Sequence, residues 1–149
     1  MKEQKLEVLD FGYLLMNAAK QLRYMLNQAL SNYEVTSGQW AILKQLQYFE
    51  ENTQRENCTS IFLSTHLGFD KPTISGMIRR LEEKELVIRV KHSRDKRSFF
   101  LQLTPKAYRI IPQLEKISEQ ITQDYLSIYT EEEKRKFYVL LEQANKRSD

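Results

Sequence analysis

GFDKPTISGMIRRLEEKELVIRVKHSRDKRSFFLQLT, residues 68–104, divides into a turn, a helix and a basic hairpin. Asp70 is a good helix N-cap, and Lys71 and Pro72 open the first turn, where a missing N–H costs little. Apolar residues then recur at Ile74, Met77, Ile78 and Leu81, the spacing of one helix face. At about 100° per residue, the opposite side carries Pro72, Gly76, Arg79 and Glu83, with Thr73, Ser75 and Arg80 on its flanks. Small, hydroxyl-bearing and guanidinium side chains share that surface.

Beyond the helix, Leu86, Ile88 and Val90 alternate with Val87 and Arg89, and Phe99, Leu101 and Leu103 alternate with Phe100 and Gln102. Two short strands are expected. Between them, KHSRDKR (residues 91–97) sets Lys91, Arg94, Lys96 and Arg97 against Asp95, with nothing apolar to bury. A basic run alone is more often a solvated surface than a nucleic-acid site. Its place in the chain changes that reading. A short helical segment (Ile61 to Leu67), a glycine turn, a capped second helix and a hairpin follow one another closely, as in a winged helix-turn-helix. In that arrangement the helix enters the major groove and the wing reaches backbone or minor groove.

At 149 residues the chain is long enough for one domain with a real core. Four Gly, three Pro, 41% hydrophobic and 29% charged residues fit a mainly α protein better than a sandwich or a disordered chain. No apolar run approaches the length needed to span a bilayer, and MKEQKLEVLD lacks an apolar signal core, so a cytoplasmic location is expected. The net charge of +3 is unevenly spread. Residues 71–109 hold 11 Lys/Arg against 4 Asp/Glu, a net of +7, which leaves −4 elsewhere. Positive charge concentrated on one segment favours a polyanion partner for it.

Before this lobe, Leu6 to about Ser31 reads as one long helix whose apolar band is wide: Leu9, Tyr13, Met16, Leu22, Met25, Leu26, Ala29 and Leu30 on one side, Phe11, Leu14, Leu15 and Ala18 on another. A helix apolar on two sides packs on two things, its own core and a partner chain. Thr36 or Ser37 caps the next helix, with Gln39 at capping-box spacing from Thr36, and Trp40, Ile42, Leu43, Leu46 and Phe49 line it. Residues 50–60 are expected to form a loop ending in a short strand at Cys58 and Thr59, after which Ser60 caps a helix with Ile61, Leu63 and Leu67 inward. After the wing, Thr104 and Pro105 start a helix running through Tyr108, Ile111, Leu114, Ile117, Ile121, Tyr125 and Ile128, with Pro112 as a kink or restart. Thr130 and Glu133 form a second capping box, opening a last helix lined by Phe137, Val139, Leu140 and Leu141. The first helix and the last two carry more apolar surface than a small monomer hides, so a symmetric dimer is expected.

The stretches VTSGQWAIL (35–43), LGFDKPTISGMIRRLEEKELV (67–87) and SRDKRSFFLQLTPKA (93–107) resemble the MarR (multiple-antibiotic-resistance regulator) family of transcription factors. The resemblance implies a single domain with dimerisation helices at 1–34 and 105–149 and a winged helix-turn-helix lobe at 35–104. It implies a homodimer that binds double-stranded DNA and represses promoters until a small effector or oxidant weakens binding. By the same resemblance Arg97 enters the minor groove and Asp95 holds the wing through ionic contacts. Lys71, Thr73, Ser75, Gly76 and Arg79 match base-reading positions, and Arg80 a phosphate contact. Effector pockets of such dimers lie between the lobe and the terminal helices, where Phe11, Tyr13, Arg23 and Trp40 are the candidates. Two departures stand out. Glu85 replaces a usual glycine, so the turn into the wing is expected to differ, and the 50–60 loop is longer and more polar than expected.

Other classes fare worse. An enzyme would need a nucleophile with a base, paired carboxylates or a metal cluster, and His66 and His92 have no motif partner. One cysteine and two separated histidines offer no zinc-site spacing, and no cofactor motif is present. A winged-helix protein-interaction module without DNA binding remains the alternative, against which the basic wing argues. Cys58 invites an oxidation-sensing role, with Arg55 lowering its pKa and Glu51 and Glu56 opposing.

Overall fold

Helix starts in this chain are written locally, and each cap bonds as its side chain allows. In the computed structural model, which describes residues 8–52, 54–95 and 97–146, Thr36 and Gln39 form the full capping box that opens α2 (Ser37–Glu51). Asp70 accepts the Thr73 N–H at 2.7 Å and opens α4 (Lys71–Glu83). Thr104 accepts the Ala107 N–H at 3.2 Å and opens α5 (Pro105–Tyr125). Thr130 and Glu133 exchange hydrogen bonds at 2.9 and 3.2 Å before α6 (Glu131–Lys146). The first helix, α1, spans Val8–Leu30; Leu6, its expected start, lies outside the described residues.

The segment after α2 departs from expectation. α2 continues to Glu51, and Arg55–Asn57 make a single 3-10 turn where a plain loop was expected. Thr59, not Ser60, caps α3 (Ser60–Leu67), accepting the Phe62 N–H at 3.1 Å. The inward set shifts with it: Leu63 is buried and Phe62 and Leu67 pack on the core, while Ile61 is 66% exposed. Cys58 and Thr59 form no strand; the Cys58 carbonyl accepts one hydrogen bond, from Leu101 N–H at 3.0 Å. Gly68 closes α3 at φ 72°, where a glycine costs least.

α4 leads into an antiparallel hairpin, β1 (Val87–Lys91) and β2 (Phe99–Leu103), in register from Val87 opposite Leu103 to Lys91 opposite Phe99. Leu101 and Leu103 are buried as the alternation predicts. At the distal end the order inverts, with Phe100 buried and Phe99 exposed, and Ile88 is also exposed. α5 runs through Pro112 as one helix, so of the expected kink or restart the restart does not occur, and it ends at Tyr125, leaving Ile128 beyond the helix and exposed. Tyr108 and Pro112 are both exposed, so the carbonyl freed by the missing proline N–H faces solvent rather than core.

Glu85 departs from expectation in the other direction. It adopts φ 61°, and Leu86 N–H bonds Leu81 O while Glu85 N–H bonds Glu82 O, both at 2.9 Å. This is a Schellman closure without its glycine. Leu81 and Leu86, buried on either side of it, hold the turn, and Thr104 Oγ donates to the Glu85 carbonyl at 2.7 Å. The turn into the wing therefore keeps its shape at a cost in backbone energy. Glu85→Gly should stabilise the fold by about 1 kcal/mol, read as a higher urea midpoint at unchanged m-value.

One core joins these elements. Leu30 from α1, Ile42, Leu43 and Leu46 from α2, Leu63 from α3, Ile74, Ile78 and Leu81 from α4, and Ile111 and Leu114 from α5 are all essentially inaccessible. α6 contributes nothing to it: none of its residues is buried. Among the described residues no helix is long and apolar enough to cross a membrane.

Candidate nucleic-acid interface

α4 buries Ile74, Met77, Ile78 and Leu81, and that choice fixes what it presents outward. Lys71, Pro72, Thr73, Ser75, Arg79 and Arg80 are exposed and Gly76 is half-buried. The face read from the sequence is the face the fold leaves open. On the hairpin, Lys91, Arg94, Asp95 and Arg97 are exposed; Lys96 lies outside the described residues. Among the described residues, Lys71, Arg79, Arg80, Lys91, Arg94 and Arg97 form no ion pair, whereas Arg89, one turn inside, is held by Glu82 at 2.8 Å. Cations left without carboxylate partners keep their charge available for phosphate.

Asp95 shapes the wing tip through hydrogen bonds to the chain around it. Its carboxylate accepts the Arg97 N–H at 3.0 Å, its carbonyl accepts Ser98 N–H at 3.1 Å and Ser98 Oγ at 3.2 Å, and among the described residues it makes no ion pair. This is an Asx-type turn. His92 N–H closes the loop onto Ser98 O at 3.0 Å. The Arg97 guanidinium is thereby left free while its backbone is fixed.

Two further side chains brace the lobe, one at the end of α4 and one at the base of the hairpin, and no sequence motif marks either. Lys84, at the C-cap of α4, donates to the Glu34 carbonyl and to Gln39 Oε1 at 3.0 Å, tying the end of the helix to the junction of α1 and α2. Partial burial lowers its pKa, the Glu34 charge opposing and Arg80 adding to the fall. Glu50 accepts Leu103 N–H at 2.8 Å and the Tyr108 hydroxyl, joining α2 to β2 and α5. Burial first, then the bond to Glu50, pushes the Tyr108 phenol up to about 12. Both braces span more than forty residues of chain, so no local spacing announces them.

A cleft of about 510 Å³ opens beside this face, lined by Arg23 and Asn27 of α1, Thr36 to Gly38 at the start of α2, Phe69, and Pro72, Thr73, Gly76, Met77 and Arg80 of α4. Gly38 lets α2 and α4 approach, because a Cβ there would stand 2.8 Å from Met77 Sδ. Of the residues named as effector candidates, Arg23 lines this cleft. Trp40 lies in the core with Lys44 5.4 Å from its ring centroid, and Phe11 and Tyr13 are exposed nearer the start of α1.

Cys58 is fully buried, and its thiol is pushed up to about 12, by burial first and then by the Glu50 charge. A thiol so protonated is a poor nucleophile near neutral pH. Peroxide treatment should therefore leave DNA affinity unchanged, and maleimide labelling should proceed only under denaturing conditions. Fast labelling of the native protein would contradict this.

The order of elements and the exposed cationic helix and wing define a winged helix-turn-helix protein. Comparison with known proteins narrows the class. The sequence model of the MarR family matches residues 35–99. The chain is 33% identical over 110 residues to the HTH-type transcriptional regulator FarR of Neisseria gonorrhoeae, across 72% of this chain and 65% of FarR. It is 30% identical over 110 residues to the HTH-type transcriptional regulator MgrA of Staphylococcus aureus, across 73% of this chain and 71% of MgrA. The chain belongs to the MarR family. In fold it is also similar to a cysteine-to-serine variant of MarR from E. coli complexed with operator DNA, with a TM-score of 0.79 at 23% identity over 92% of this chain and 94% of that one.

Proposed function

We propose that this chain, a DNA-binding transcriptional regulator of the MarR family, works as a cytoplasmic homodimer. Residues 1–34 and 105–149 pair the two subunits, and residues 35–104 carry the DNA contacts. Lys71, Thr73, Ser75, Gly76 and Arg79 face base edges with Pro72 against the groove wall, and Arg80 meets phosphate. Lys91, Arg94, Lys96 and Arg97 on the wing take backbone and minor groove, with Asp95 holding the turn. The observation that carries this reading is the set of exposed cations on α4 and the hairpin, Lys71, Arg79, Arg80, Lys91, Arg94 and Arg97, which form no ion pair among the described residues. A small effector in the cleft at Arg23 would touch Thr73, Gly76 and Arg80 of the reading helix. Occupancy would then compete with, or tilt, the same residues that meet DNA, which is how a ligand-responsive repressor releases its operator.

Selecting bound fragments from genomic DNA and mapping the protected bases tests the proposal. A pseudo-palindrome with half-sites about one helical turn apart, roughly 10 to 10.5 bp or a multiple, is the expected result. Recovery of fragments with no shared sequence would contradict it.

A further inference from the structure

We propose that Glu56, in the connection between α2 and α3, is a positioning residue for DNA binding that aims the wing by accepting a hydrogen bond from Ser93. The inference rests on the DNA-binding reading above and deepens it. The hairpin has two outer edges, and Glu50 and Cys58 lie along that of β2. At the base, Leu103 N–H is taken by the Glu50 carboxylate at 2.8 Å, and midway Leu101 N–H is taken by the Cys58 carbonyl at 3.0 Å. Both N–H groups point away from β1 and would otherwise be open edge donors. Past Phe99 this support ends. The tip's own bonds, Asp95 to Arg97 and Ser98 and His92 to Ser98, fix its shape but not its direction relative to the lobe.

Glu56 ties the tip to the lobe. Its Oε2 accepts Ser93 Oγ at 2.9 Å and stands 3.8 Å from His92 Nε2, while the His92 ring packs edge-on against Phe100 at 6.4 Å. Ser93 and His92 are 37 and 36 residues from Glu56 in sequence, so the contact is tertiary, and it reaches the wing just before Arg94, the first arginine of its tip. This also gives a use to the polar part of the connection, which enters the core through Cys58. The segment is long enough to carry an acceptor out to the tip.

The sign of the expected effect separates positioning from charge. Glu56 is an acid beside a surface that meets phosphate, so by charge alone its removal would tighten binding. A positioning role predicts the reverse. Full-length wild type, Glu56→Ala, Glu56→Gln, Ser93→Ala and the double alanine variant should be titrated with a mixed-sequence duplex across a salt series, with melting temperatures taken in parallel. Glu56→Ala should weaken binding about five- to tenfold, about 1 to 1.4 kcal/mol, and flatten the log-log salt slope by about one unit as the Arg97 phosphate contact is lost. Its melting temperature should match the wild type's. Glu56→Gln keeps an oxygen acceptor and should stay within about twofold of wild type, and the double variant should be no weaker than either single one, because both remove the same bond. Binding unchanged or tightened in Glu56→Ala, loss in Glu56→Gln equal to that in Glu56→Ala, or additive losses in the double variant would each overturn the proposal. Wild-type binding in the same series reports separately on the DNA-binding reading.

Discussion

Leu140→Asp should raise the dimer dissociation constant by about two to three orders of magnitude and remove operator binding with it. The residue is 65% exposed in the protomer, in a helix that buries none of its own side chains. A 16-residue helix is marginal in water without a surface to pack on, yet α6 carries Phe137, Tyr138, Val139, Leu140 and Leu141 in a row. The start of α1 adds Phe11, Tyr13, Leu14, Leu15 and Met16, all more than half exposed. Two apolar surfaces of this size at the chain's two ends are what a second copy covers in a dimer joined by terminal helices. A carboxylate placed there would be desolvated on association. Sedimentation equilibrium should show wild type as a dimer and Leu140→Asp as a monomer at micromolar concentration, with circular dichroism reporting retained helix in the lobe. A dimer undisturbed by the aspartate would place the interface elsewhere.

Arg79, Arg97 and Asp95 should fail in three different ways. Arg79 projects from the exposed face of α4 without an ion-pair partner among the described residues. If it bonds a guanine edge, Arg79→Ala costs about 1 to 3 kcal/mol on the best operator and relaxes preference at one base position per half-site. Arg97 sits at the wing; if it meets the minor groove and phosphate there, Arg97→Ala weakens binding on many sequences and flattens the salt dependence by about one unit of slope per wing. Asp95→Ala adds a net positive charge near DNA, yet affinity should fall, because the bond from Arg97 N–H to its carboxylate holds the turn that presents the Arg97 side chain. Tighter binding by Asp95→Ala would mean the wing acts only as a basic loop. An unaltered base preference in Arg79→Ala would mean that another face of α4 enters the groove.

What the sequence disclosed follows the range of the interaction concerned. Caps at Thr36, Asp70, Thr104 and Thr130 depend on residues three positions apart, and the buried face of α4 on a repeat of three and four; both are readable without a fold. Thr59 and Ser60 are adjacent hydroxyls with equal capping chemistry, and only the extended backbone at Thr59 decides between them. α3 has eight residues, too few turns for periodicity to separate Ile61 from Phe62 as the inward side chain. The glycine rule failed at Glu85 because burial of Leu81 and Leu86 outweighs the backbone preference there. The outward residues of α4 and the wing were legible because they are what the core leaves over. Lys84, Glu50 and Glu56 were not, since each acts on residues brought near only by the fold.

On this reading the cations of α4 and the wing form one phosphate-binding surface in a dimer. Its most direct test is the affinity of the wild-type dimer for a duplex as salt is raised. Log affinity should fall linearly with log salt, with a slope of about −0.9 for each phosphate neutralised, and the slope should be shallower in Arg97→Ala. A slope near zero, or one that the arginine's loss leaves unchanged, would contradict the account.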